Sequence, residues 1–353
     1  MDKVSKNKLS IFFCINGLNK GGAEKQLSYI SNHLSKIYDV HIFSLSRLSS
    51  TYKLNRNIKF YKYTGIFYFL YYIFKVIKIK PKAIFFILPK SYFFFGTLSI
   101  LFPNIKKILM RRSLNYYHQN IFYKFYEIFL HFFTDLFITN SYAAKLDLVN
   151  DEFVKREKVK MVNNYIKNFN NNSIRTKRGK LFKILCISNF YEYKGHKLLL
   201  KSLSYLKNYN WQLYLVGEKR DFNKQTIINY SRKLDIEKKI YFKQKINSGF
   251  SFPNFSLGVL FSKTESFPNA IMEYLILKLP VAAYKTGDVN RMVNKDNGIL
   301  FNTRNPFLLS KKIKKLLVDK DLKKKSLMSH SKIKRFSKKS NTLHKYLIIL
   351  EKI

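Results

Sequence analysis

Short runs rich in β-branched and aromatic residues alternate with helix-length segments along this 353-residue chain, and the alternation starts afresh past the middle. A chain of that kind buries its apolar strands by covering both faces of a parallel sheet with crossover helices. The first series places strands at 9–15, 40–45, 58–63, 83–88, 107–110, 136–139 and 159–162, with a helix over 22–36. The second places them at 181–187, 212–216, 239–242, 257–261 and 281–284, with a Lys-rich helical region from Lys311 onward. Between the two series, Asn168-Phe169-Asn170-Asn171-Asn172-Ser173 and Lys177-Arg178-Gly179-Lys180 are polar and turn-rich, as a linker would be. The expected class is α/β: two Rossmann-like, doubly wound domains over 1–168 and 181–335, joined by 169–180, with a C-terminal helix over 336–353 packing back toward the first domain.

The two halves open alike. Each has a strand ending near Cys-Ile, a loop containing Asn, and then Lys-Gly, from Cys14 to Gly21 and from Cys186 to Gly195. Open sheets bind ligands at such carboxyl-terminal loops. Cys14 and Cys186 lie inside apolar runs and read as buried thiols of a reducing compartment. The first residues contain no signal-type apolar core, and the apolar runs at 66–74 and 92–102 stop at Lys75 and Pro103. Both fall short of the roughly 20 residues that a membrane span needs, so a cytoplasmic protein is expected.

Charge bears on which partners to consider. Lys and Arg number 66 against 21 Asp and Glu, a formal charge of +45, which invites a nucleic-acid reading. Codon composition rich in A and T supplies the same Lys, Asn, Ile, Phe and Tyr. Most aromatics also fall inside the expected strands and helices rather than on a polar surface, so no nucleic-acid partner is expected. Phosphate-loop, dinucleotide-fingerprint and zinc motifs are absent from the sequence, which sets aside ATPase, dehydrogenase and zinc-enzyme chemistry. One local feature stands out against the basic background. Between Asp39 and Glu127 there is no acidic residue, while Lys, Arg, Phe and Tyr recur throughout.

Two segments carry candidate chemistry. Asn16-Gly17-Leu18-Asn19-Lys20-Gly21-Gly22-Ala23-Glu24 leads from the first strand into a helix, where Gly21 and Gly22 could bring backbone amides close to an anion. A tight turn that needs glycine would read the same way. Glu265-Ser266-Phe267-Pro268-Asn269-Ala270-Ile271-Met272-Glu273 places one carboxylate in a loop and another about a turn and a half inside a helix. The apolar neighbours of Glu273 point to a buried helix, and a buried carboxylate needs partners.

With these residues in view, the chain resembles the retaining GT-B glycosyltransferases of family four, whose signature is a pair of Glu residues separated by seven others. Thr139-Asn140-Ser141-Tyr142-Ala143, Val162-Asn163-Asn164-Tyr165-Ile166, Lys194-Gly195-His196, Pro280-Val281-Ala282-Ala283, Thr286-Gly287-Asp288 and Asn297-Gly298-Ile299-Leu300-Phe301 match family segments in order along nearly the whole chain. The resemblance implies a GT-B fold, with two Rossmann-like domains facing a central cleft. It also implies transfer of a sugar, with retention, from a nucleotide diphosphate sugar to a glycan or lipid-linked acceptor in bacterial surface polysaccharide synthesis. UDP-sugars are favoured over GDP-sugars, and neither a cofactor nor a metal is expected.

By the same resemblance, Glu273 holds ribose hydroxyls, Glu265 orients the donor sugar, and Lys194 neutralises the leaving diphosphate together with Gly21 and Gly22. Ser266, Phe267, Pro268 and Asn269 supply the loop and helix amides around that phosphate. Asn189 stands in the donor site where the family usually has Arg, and Ser266 stands where Gly is frequent. Met110-Arg111-Arg112-Ser113 occupies the place of a usual His; Arg112 is the expected catalytic replacement, and Arg111 and His118 are candidate acceptor or phosphate contacts. The departures leave open a degenerate protein that binds sugar nucleotide without transfer. The acid-free stretch falls in the acceptor-side domain and is expected to meet an anionic membrane surface, peripherally on the inner face of the plasma membrane.

Overall fold

In the computed structural model, residues 8–19, 21–114, 120–165, 181–243, 255–318, 321, 324–325, 327–329, 331–332 and 342–353 are described. The chain divides into two compact units, Met1–Tyr165 with Ser340–Ile353, and Ile166–Lys339. The expected linker at 169–180 lies outside the described residues.

The N-terminal unit holds a seven-stranded parallel sheet: β1 (Ser10–Ile15), β2 (Asp39–Ser44), β3 (Lys59–Lys62), β4 (Ala83–Ile87), β5 (Lys106–Arg111), β6 (Leu136–Thr139) and β7 (Val159–Met161). Their spatial order is β3-β2-β1-β4-β5-β6-β7. Central strands read as unbroken apolar runs because both faces are covered. On one face Ile11, Phe13 and Ile15 pack with Leu27 and Ile30 of the helix Gly22–Leu34, and with Tyr346 and Leu350 of the helix Thr342–Lys352. On the other, Phe12 and Cys14 meet Tyr68, Tyr72 and Val76 of the helix Phe67–Ile79 and Leu130 of the helix Ile121–Phe132.

The second unit repeats the design with β8 (Phe182–Ile187), β9 (Trp211–Val216), β10 (Ile240–Lys243), β11 (Leu257–Leu260), β12 (Val281–Tyr284) and β13 (Gly298–Phe301), ordered β10-β9-β8-β11-β12-β13. Ile184 and Cys186 face the helices His196–Ser204, Lys224–Lys233 and Pro306–Leu317, whereas Leu185 and Ile187 face the helix Asn269–Ile276. Both cysteines are buried and free, as their apolar runs imply. β13 is the one strand absent from the sequence reading; its short Gly298-Ile299-Leu300-Phe301 run was seen only as a family segment. No described helix is long and apolar enough to cross a membrane.

In each sheet the strand order reverses direction at the first strand, between β1 and β4 and again between β8 and β11. Loops leaving the carboxyl ends of such neighbouring strands diverge and open a crevice, so chemistry is expected at these two places.

Candidate active site

In the C-terminal unit the switch point brings Lys194 and Glu265 together. Lys194 follows β8 in a short 3-10 turn, Glu192–Lys194, and Glu265 follows β11. The Lys194 ammonium donates to Glu265 Oε1 at 2.5 Å, with side chains 16% and 13% exposed. Nζ also lies 4.9 Å from the centre of the Tyr193 ring. Burial alone would push the ammonium's pKa down, but the Glu265 carboxylate and Tyr193 outweigh it and hold the pKa above its ordinary value. The lysine is therefore a fixed cation at any physiological pH. One of its three N–H bonds is used on Glu265.

Two glycines let the surrounding loops approach this closely. Gly195 has φ +73°, and a Cβ there would stand 2.3 Å from the Phe261 carbonyl oxygen. Gly287 has φ +49°, and a Cβ there would stand 1.9 Å from the Glu265 carbonyl oxygen. Across that approach the Asp288 amide donates to the Ser266 carbonyl at 3.0 Å, and the Glu265 amide donates to Thr286 Oγ1 at 3.3 Å. The loop carrying Glu265 is thus clamped from both sides.

Glu273 is the fifth residue of the helix Asn269–Ile276 and is buried. Pro268 sits at the N-cap in an extended conformation, one position before the expected first turn, and no side chain caps this helix. Ser266, Phe267 and Pro268 are buried, while Asn269 is half-buried at the first helical position. Asn189 Oδ1 accepts the Glu218 amide at 3.1 Å and ties the loop after β8 to the loop after β9. It therefore has a structural bond where the resemblance would put an arginine.

His196 is buried beside this pair. Its Nε2 lies 2.9 Å from Ser188 Oγ, and its ring meets Phe190 and Phe222 edge-on. Burial, with Lys194 adding repulsion, pulls the imidazole pKa down to about 4. A folded value below the unfolded value of about 6.5 means that the unfolded chain binds more protons between these pH values. Stability therefore rises with pH across this window and is lost as pH falls from 6.5 toward 4, by about 3 kcal/mol in total. Trp211 is the only tryptophan and is buried in this unit's core. Urea unfolding followed by its fluorescence should show that acid loss, and His196→Gln should flatten it.

In the N-terminal unit Gly21 forms the N-cap of the helix Gly22–Leu34. Its amide donates to the Tyr52 hydroxyl at 3.0 Å, and its carbonyl accepts from the same hydroxyl at 2.8 Å. The Glu24 carboxylate folds to within 3 Å of where a Gly21 Cβ would stand. In this structure the Gly21 amide, expected to meet phosphate, is therefore engaged by Tyr52. Gly22 opens the helix itself.

Arg111 requires a correction. It is the last residue of β5, 3% exposed, and its guanidinium pairs with Glu127 at 2.6 Å and with Glu152. His131 Nε2 adds a 2.8 Å contact to Glu152, and the Tyr92 hydroxyl lies 3.0 Å from His131 Nδ1. Glu127, His131 and Glu152 lie close enough to hold a metal ion, but Arg111 already supplies the positive charge there. A guanidinium sequestered in that network cannot greet an acceptor phosphate, and its role is structural. Arg112, one residue on, is half-buried and anchored by Asn164 Oδ1 at 3.0 Å and by the Tyr346 hydroxyl. His118 lies outside the described residues.

Sequence reasoning missed Thr286 and Tyr346 as supports. Thr286 stood within a quoted segment without a role. Tyr346 is 234 positions from the arginine it holds, beyond any local pattern.

Comparison with known proteins bears on the same region. Residues 167–334 match the family described as Glycosyl transferases group 1. An uncharacterized glycosyltransferase of Haemophilus influenzae is 27% identical over 314 residues, covering 83% of this chain and 86% of that protein. Anabaena HepE, solved in complex with UDP and glucose, superposes with a TM-score of 0.80 at 16% identity, covering 98% of this chain and 100% of that one. The lipopolysaccharide outer core galactosyltransferase WaaB, in its apo form, gives a TM-score of 0.74 at 16% identity, over 98% of this chain and 100% of that one. The fold is GT-B, with two Rossmann-like domains, and the findings together support a group 1 glycosyltransferase.

Proposed function

We propose, from the premise that residues 167–334 carry a group 1 glycosyltransferase region, that the protein transfers a sugar from a nucleotide diphosphate sugar to a glycan or lipid-linked acceptor with retention of anomeric configuration. The observation that carries this reading is the half-buried Lys194–Glu265 pair at the switch point, followed by buried Glu273 on the next helix. Lys194 keeps its charge and has N–H bonds beyond the one given to Glu265, so it can neutralise negative charge on a departing diphosphate. Glu265, held by that lysine and by the Thr286 clamp, orients donor-sugar hydroxyls, and Glu273 accepts from ribose hydroxyls. Amides at the start of the helix Asn269–Ile276 add partial positive charge beside the phosphate.

Retention follows if the diphosphate leaves from the face on which the acceptor attacks, its oxygen taking the acceptor proton as the new bond forms. Arg112 is read as serving the reacting groups and Gly22 and Asn189 as serving the donor, whereas Gly21, its amide bonded to Tyr52, caps its own helix. The donor is a UDP-sugar, a reading favoured by the UDP bound in the HepE structure. The fold likeness to WaaB favours bacterial surface polysaccharide as the product class, with an acceptor met at an anionic membrane.

Incubation with UDP-sugars, GDP-sugars and lipid-linked acceptors, with proton NMR of the first product formed, tests this reading. Transfer from a UDP-sugar with the donor's anomeric configuration kept is expected. An inverted product would overturn the retaining mechanism. UDP-sugar binding without turnover on any acceptor would favour the degenerate reading that Asn189 motivates.

A further inference from the structure

Two helices of the N-terminal unit are apolar on the side that faces away from their sheet. Phe67, Leu70, Phe74 and Ile77 are 77%, 61%, 53% and 56% exposed along the helix Phe67–Ile79. Phe122, Phe125, Phe129 and Phe132 are 81%, 63%, 48% and 79% exposed along the helix Ile121–Phe132. Both sets repeat at i, i+3, i+7 and i+10, which is one stripe of an α-helix. Their inward sides, with Tyr68, Tyr72 and Val76 on one and Leu130 on the other, pack on the same face of the sheet. A surface helix ordinarily turns a polar stripe to water, and these do not.

The two stripes belong to one layer. Phe69 of the first helix stacks on exposed Phe94 at 5.5 Å, and the neighbouring Phe93 meets Tyr123 and Tyr126 of the second at 5.1 and 5.7 Å. Exposed aromatic area on this scale is rare on a free soluble surface. Lysines accompany it: Lys75 lies 5.1 Å from the Tyr71 ring centre and Lys78 lies 5.8 Å from that of Phe74. Lys80 and Lys90 are exposed nearby in sequence, and the carboxylate of Glu127 is buried against Arg111.

We propose that this face is a membrane-insertion surface, in which the two phenylalanine-rich stripes enter the headgroup and upper acyl region of an anionic bilayer while the lysines bind its phosphates. Aromatic rings with flanking cations are the chemistry of interfacial helices that lie on a membrane without spanning it. Charge complementarity selects the occupant, because a second copy would bring a like-charged cationic face against this one, whereas anionic lipid answers both features. The inference deepens the proposed function by naming how the protein reaches a lipid-linked acceptor, and it requires no nucleotide.

Flotation of the full chain with vesicles of phosphatidylglycerol and phosphatidylcholine, against pure phosphatidylcholine, is the test. Preferential binding to the anionic vesicles is expected, with a substantial part surviving 0.5 M salt, because shortening the Debye length to about 4 Å screens the lysines but does not release inserted rings. Joint replacement of Phe67, Phe74, Phe122 and Phe129 by Gln should lower partitioning by about tenfold or more through lost apolar burial. Since these rings face outward, unfolding of the whole chain followed by far-UV circular dichroism, and UDP affinity, should not change. Equal vesicle binding by parent and variant, or binding wholly abolished by salt, would overturn insertion. A parent that ignores vesicles but dimerises in sedimentation velocity would assign the face to a second copy. Loss of UDP binding with vesicle binding intact would count against the transferase reading alone.

Discussion

Lys194→Gln is expected to lower kcat for sugar transfer by about 10²–10³-fold, the loss that follows removal of one preorganised charge partner of a developing anion. The lysine is held by the Glu265 carboxylate at 2.5 Å, and its raised pKa keeps it charged without drawing a proton from elsewhere. A merely structural ion pair would respond differently. Removing the cation leaves Glu265, 13% exposed, without that partner, which costs about 3 kcal/mol when a buried pair is broken from one side. The double replacement Lys194→Gln with Glu265→Gln removes both charges and should recover most of that stability in Trp211-monitored urea unfolding. It should not recover turnover. If transfer returned together with stability, the pair would be a fold element and the assigned role would fail.

The second large effect comes from a residue with no side chain. Gly287→Ala places a methyl group where the Glu265 carbonyl oxygen stands, at a backbone φ of +49° that already disfavours any Cβ. Either the loop 285–288 withdraws, losing the Asp288 bond to Ser266 and the Thr286 bond to Glu265, or the Glu265 loop yields. A displacement of about 1 Å at a positioned group costs on the order of 10²-fold in rate, so turnover should fall by at least that much. Gly65→Ala supplies the comparison. Gly65 also has positive φ, +132°, yet a Cβ there would meet nothing within 4 Å. Gly65→Ala should lose stability from backbone strain and leave initial rates unchanged. Equal loss of activity in both variants would mean that Gly287 acts through global stability rather than through Glu265.

The legible part of this protein was whatever alternates or repeats. Central strands such as β1 and β8 announce themselves because burial on both faces makes them unbroken apolar runs. The Glu265–Glu273 spacing is equally visible because a loop-to-helix step fixes both residues within one short segment. What stayed hidden is long-range. Nothing local in Arg111-Arg112 tells which guanidinium is used in the core and which stays half-exposed, because Glu127, Glu152, Asn164 and Tyr346 decide it from elsewhere in the chain. The contact of Tyr52 with Gly21 is of the same kind, and it alters the expected phosphate role of that amide. The aromatics do fall inside strands and helices, as expected, and many of those on the helices Phe67–Ile79 and Ile121–Phe132 face outward. Helical position alone does not say which face is covered.

Lys194, Glu265 and Glu273 are proposed to organise a sugar-nucleotide site in the C-terminal unit. The most direct test is calorimetric titration of UDP into the full chain and into Glu273→Gln, each checked for unaltered Trp211-monitored unfolding. The parent should bind UDP, and the variant should bind it about tenfold to a hundredfold more weakly, the loss of one or two hydrogen bonds to a charged acceptor. A parent that does not bind UDP, or a folded Glu273→Gln that binds it as tightly as the parent, would contradict this assignment.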